Sequence, residues 1–224
     1  MRFRAFAGDP LGTSMATPRP RDRLRLTLVT LAGAAIVVGA VIAGASGGTS
    51  SPPLVPAHLS GELVGRAPWP RNIAGLRARL KALGLPALAQ EGTALHIHQH
   101  LDLSVVGRRV TVPAGIGIDE SQGFISPLHT HDRSGVIHVE SPDVRTFTLG
   151  QFFAVWGLRL TPHCLGGYCT TRSKALRVFV DGKRFSGDPR RLPLAEHEEI
   201  LVAYGTRAQL PRPIPARFGF AGGL

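Results

Sequence analysis

Methionine occurs only at Met1 and Met15, and cysteine only at Cys164 and Cys169. The first scarcity removes a blue-copper centre with an axial Met, and any Met-rich Cu(I) site, from the rest of the chain. The second leaves a single pair of sulfurs. The chain also has no H-E-x-x-H segment, no nucleophile elbow and no phosphate-cradling glycine loop, so the common motif-bearing hydrolase and nucleotide-binding classes find no support. Aromatic residues make up 6% of the chain and do not accompany its paired arginines, Arg108/Arg109 and Arg190/Arg191. A basic stripe interleaved with stacking side chains is what nucleic acid requires, so the formal charge of +11 is read as a solubility term and no nucleic-acid partner is expected.

Charge is absent altogether from "LTLVTLAGAAIVVGAVIAGA", residues 26–45, which follows Arg19, Arg21, Arg23 and Arg25. Twenty apolar or small residues at about 1.5 Å rise span about 30 Å, the hydrocarbon thickness of a bilayer. Residues 1–25 are therefore expected as a cytoplasmic Arg-rich N-terminus and 26–45 as a transmembrane signal anchor, single-pass, with the rest of the chain extracytoplasmic. The run is longer than a usual signal-peptide core, although "AGA" at 43–45 also fits a cleavage site. Residues 46–89 are assigned as a linker carrying a short amphipathic helix within 71–84, where Ile73, Leu76, Leu80 and Leu83 recur at helical spacing. A His-rich domain is expected over 90–206, and a flexible Pro/Gly-rich tail over 207–224.

Within the domain, "LHIHQHLDLSVV", 95–106, alternates at a period of two and turns at Gly107-Arg108 into "RVTVP". "FISPLHTHDRSGVIHVES", 124–141, reads as a second hairpin with its turn centred on Arg133-Ser134. Thr148 and Gln151 form a capping-box pattern and Gly157 ends the short helix they start, with Phe152, Phe153 and Trp156 as its apolar face. A third hairpin turns at Asp181-Gly182, and "EEILVAYG", 198–205, is a closing strand. These elements predict an α+β fold of mostly antiparallel hairpins with one short central helix. The segment "VFVDGKRFSGDPRRLPLAEHEEILVAY", 178–204, resembles the second half of a β-grasp (ubiquitin-like) domain. The resemblance covers under a quarter of the chain and implies fold only.

The chemistry concentrates in "HIHQHLD", 96–102, and "HTHDRSGVIHVE", 129–140. Strand residues two apart share a face about 7 Å apart, which offers His96, His98 and His100 to one side of a sheet. A turn pairing Asp132 with Gly135 sets His129 opposite His138 and leaves His131 on their face. Protonated imidazoles packed so closely would repel, whereas a shared ion holds them neutral. His96, His98, His100, His129, His131 and His138 are therefore the candidate ligands of a divalent transition metal, Cu or Zn. Asp102, Asp132 and Glu140 are the nearest carboxylates, as ligands or as acceptors that orient an imidazole. Cys164 and Cys169, around Gly166-Gly167, are expected to form a disulfide in an oxidising compartment, with a thiolate site beside His163 as the competitor.

Three function classes follow. The leading one is a membrane-anchored extracytoplasmic module that holds Cu or Zn. The others are a metal-dependent enzyme, hydrolase or oxidoreductase, with a three-His site and an open position, and a metal-free structural or interaction domain.

Overall fold

The computed structural model describes residues 55–56, 58–59 and 61–222. The anchor expected at 26–45 lies outside them. Among the described residues no helix is long and apolar enough to cross a membrane.

The fold is α+β. In chain order the elements are α1 (Leu76–Ala82), β1 (Leu95–Val105), β2 (Arg108–Val110), β3 (Ile118–Asp119), β4 (Phe124–Ile125), β5 (Leu128–His129) and β6 (Val136–Ser141). Then come α2 (Leu149–Trp156), β7 (Cys164–Leu165), β8 (Tyr168–Cys169), β9 (Ala175–Val180), β10 (Lys183–Phe185) and β11 (Glu199–Gly205). One seven-stranded sheet runs β10-β9-β11-β1-β6-β5, with β2 also paired to β1. The long strand β1 has β11 on one edge and two successive neighbours on the other. β6 takes Leu95–His100 and β2 takes Leu103–Val105.

Alternation along β1 produces two unlike faces. Leu101, Leu103 and Val105 join Ile137, Val139, Ile200 and Val202 in the main core. Helix α2 closes that side. Its Phe152, Phe153, Val155 and Trp156 are all fully buried, each worth about 1.5–3 kcal/mol in burial. Thr148 caps the helix as the sequence predicts. Its hydroxyl accepts from Gln151 N–H while the Gln151 side chain accepts from Thr148 N–H, and Gly157 ends it in a left-handed conformation. The loss of such a cap costs about 1 kcal/mol.

Several segments behave differently from their sequence reading. The first turn lies at Val106-Gly107 rather than Gly107-Arg108. Both residues have positive φ (51° and 79°), and Arg108 already pairs with Val105. A two-residue hairpin turn needs two such conformations, and here the β-branched Val106 supplies one of them. The strands are not all antiparallel neighbours, because β11 lies parallel to β1 in the middle of the sheet. Residues assigned to the linker also contribute to the core: Trp69, Leu76, Leu80, Leu83 and Leu85 pack into it. From the tail segment, Leu210 and Ile214 cover Phe179, Leu201 and Ala203 on the sheet's other face. The Asp181-Gly182 turn forms as expected, with φ of 49° and 76°. Cys164 and Cys169 are disulfide-bonded across the small β7–β8 ribbon, so the thiolate alternative is excluded.

Candidate metal centre

The face of β1 opposite the core carries His96, His98 and His100, and two registers decide what each one meets. In the β5–β6 hairpin His129 lies opposite His138, as the turn centre predicts. β6 also pairs with β1, setting His138 beside His98 and Glu140 beside His96. A row of imidazoles thus crosses three strands, His129–His138–His98. His96 and Glu140 form the next row, and His131 projects from the loop after β5.

Within this cluster the rings meet tip to tip. His96 Nε2 and His98 Nε2 are 3.2 Å apart, and His129 Nε2 and His131 Nε2 are 3.1 Å apart. Around an ion with Zn–N bonds near 2.0–2.1 Å, neighbouring tetrahedral ligands lie about 3.3–3.4 Å apart. The ring centroids of His138 stand 4.6 Å from His98 and 4.4 Å from His131. Glu140 sits in the middle: its Oε1 is 3.0 Å from His138 Nδ1, 3.3 Å from His96 Nε2 and 3.9 Å from His129 Nε2. Two groups can hold an ion, His96–His98–His138–Glu140 and His129–His131–His138–Glu140. In each, the ligand atoms lie within 4.8 Å of one another.

Electrostatics prepares these rings as ligands. Burial holds His129 down to about 3, reinforced by the charges of His131 and His138. Burial likewise lowers His138 to about 4, with His131 and His98 adding to the effect. His98 is lowered too, by burial and then by His96. At neutral pH these rings are uncharged and keep a lone pair for a metal. His129 Nδ1–H donates to the Ser126 carbonyl at 3.0 Å, which leaves Nε2 as the ligating atom. Glu140 is pushed the other way, up to about 7, by its burial and by the Glu91 carboxylate next to it.

His100 departs from the six-histidine expectation. It shares a face with His96 and His98 yet belongs to a different neighbourhood. Its Nδ1 contacts Glu199 Oε2 at 2.6 Å and its Nε2 contacts the Ser134 carbonyl at 3.0 Å. The ring stacks on Phe218 at 3.8 Å. Gly135 permits this approach: a Cβ there would lie 3.0 Å from His100 Nε2 and 2.7 Å from the Leu101 carbonyl. With Asp102 and Glu199, His100 forms a third group of metal-ligating type, but both of its nitrogens are engaged. Asp102 Oδ1 lies 2.8 Å from Arg109, an ion-pair distance off the angle of a hydrogen bond. Asp132 stays in its turn, accepting from Ser134 N–H at 2.8 Å.

Glu91 is the residue that sequence reasoning missed. It reaches back from the segment before β1 to place Oε1 3.2 Å from His131 Nε2 and 3.9 Å from His129 Nε2. Nothing in the local pattern around it announces a ligand. His197 also approaches the cluster, its backbone N–H donating to the His98 carbonyl at 2.7 Å.

No family model, curated protein or solved structure matches this chain. Its chemistry therefore rests on its own geometry.

Proposed function

We propose that the chain is a membrane-anchored, extracytoplasmic metal-binding protein whose histidine cluster holds Cu or Zn on a β-grasp-like α+β scaffold. One observation carries the reading. Four histidines, from β1 and the β5 segment, turn paired Nε2 atoms toward one another at 3.1–3.2 Å, and a fifth, His138 of β6, joins them around Glu140. A metal-free packing role accounts poorly for so many imidazole rings gathered around carboxylates. One N–H···N bond satisfies each pair but leaves the convergence of the two pairs on Glu140 without a purpose.

Mixed imidazole and carboxylate donors suit Zn or Cu. The cluster is also open on one side, which favours loading and release over a sealed structural ion. The side chains of His96, His131 and Glu91 are 52%, 45% and 47% exposed, whereas His129 is fully buried. The same opening supports a second reading, a metal-dependent enzyme with a coordination position for water. Placement outside the cytoplasm is supported by the uncharged run at 26–45 behind its arginines, and by a disulfide of the kind that oxidising compartments maintain.

The test is metal analysis of the full chain extracted from membranes without chelator and then reloaded with Zn(II) or Cu(II). Stoichiometric uptake is expected, unchanged in a His58→Ala control. A wild-type chain that takes up no metal refutes the reading.

A further inference from the structure

We propose that the cluster is a dinuclear centre in which the Glu140 carboxylate bridges two ions. The inference rests on the metal-binding reading and adds to it the number of ions and the role of each side chain.

Seven groups surround the site, too many for one four-coordinate ion. Two tetrahedral ions that share a single corner need seven. The side chains sort themselves accordingly. His96 and His98 form one pair with Nε2 atoms 3.2 Å apart, and Glu140 Oε1 lies 3.3 Å from His96 Nε2. His138, on the strand beside His98, completes that set. His129 and His131 form the other pair, 3.1 Å apart, with Glu91 Oε1 3.2 Å from His131 Nε2. His138 and Glu140 lie within reach of both pairs; with Glu91 as the further ligand beside His131, His138 goes to the first set and Glu140 alone is shared.

The two pairs are built alike. Each joins a buried imidazole (His98, His129) to an exposed one two residues away on the same segment (His96, His131). One ion lodged in either set leaves the other pair of rings unligated. Two ions use all seven groups, as the paired ions of two-metal sites, ~3.5–4 Å apart in general, share their ligands. The carboxylates also suit a second cation. Glu91 Oε1 and Glu140 Oε1 both lie 3.9 Å from His129 Nε2, and two ions between and beside these like charges relieve their repulsion.

The full chain is loaded with Zn(II), freed of excess ion and analysed for zinc per chain. Two equivalents are expected. The double variants His96→Ala/His98→Ala and His129→Ala/His131→Ala should each retain one, and the quadruple variant none. A wild-type chain that saturates at one equivalent, or a correctly folded double variant that binds none, overturns the dinuclear assignment and leaves metal binding itself intact. Wild-type chain that binds no zinc fails the functional reading instead. A measurement free of variants uses Cu(II). Two bridged ions should show less paramagnetic signal than total copper, whereas full signal from every copper would show uncoupled ions and overturn the bridge.

Discussion

His98 and His100 are neighbours on one face of one strand, two residues apart, and their fates differ completely. His98 meets His138 across the β1–β6 register and joins a group of imidazoles whose ring nitrogens face one another. His100 meets Glu199 across the parallel β1–β11 register, and its two nitrogens are taken by that carboxylate and by the Ser134 carbonyl. Parity chooses the face of a strand. The neighbouring strand then decides whether a histidine there becomes a ligand or a buried partner in an internal contact.

The comparison breaks most sharply at His100 itself. The His100→Ala variant should lose about 3–5 kcal/mol of stability, because it strands the buried Glu199 carboxylate, whose second oxygen already has no partner. Its zinc stoichiometry should stay at the wild-type value. Urea unfolding and metal analysis of one preparation test both halves, and a loss of metal would place His100 back in the site.

Acidification should separate the two regions next. His129 and His138 titrate far lower in the folded chain, at about 3 and about 4, than the value near 6.5 of an unfolded chain. Between pH 6.5 and 4 the unfolded chain therefore binds protons that the folded chain refuses, and stability falls as pH falls. Glu140, raised to about 7, binds its proton in the folded state and offsets part of that loss. The net expectation for metal-free protein is a loss of about 1–2 kcal/mol from pH 7.5 to pH 5, read from urea midpoints. Stability that rises on acidification would contradict the buried neutral histidines.

The disulfide leaves the site untouched and serves as its control. Unreduced, unfolded protein should show no free thiol. Reduction of Cys164–Cys169 should cost about 2 kcal/mol, the scale for so short a loop, and leave metal uptake unchanged. Altered uptake would mean that the β7–β8 ribbon communicates with the cluster.

Local signals in the sequence carried a large part of this. The capping box at Thr148, the Asp181-Gly182 turn, the disulfide and the His129–His138 pairing all depend on residues a few positions apart, and all appear in the structure. The contacts that define the site's boundary do not. The β1–β6 register joins residues about forty positions apart, the β1–β11 pairing about a hundred, and neither leaves a trace in alternation alone. For that reason no local pattern marks Glu91, and alternation groups His100 with its strand-mates. The one-residue error at the first turn has a different origin. Glycine is the residue that advertises a positive φ, and Val106, which also adopts one, does not.

The row His129–His138–His98 runs across the strands, not along them. A single-residue slip of β6 against its neighbours would swing His138 and Glu140 into the apolar interior and turn Ile137 and Val139 outward, dismantling every coordination set at once. An ion seated on that row would act as a proofreader of strand alignment. It would bind only the correctly threaded sheet, and it would favour that sheet over its misaligned competitors by the whole of its binding free energy.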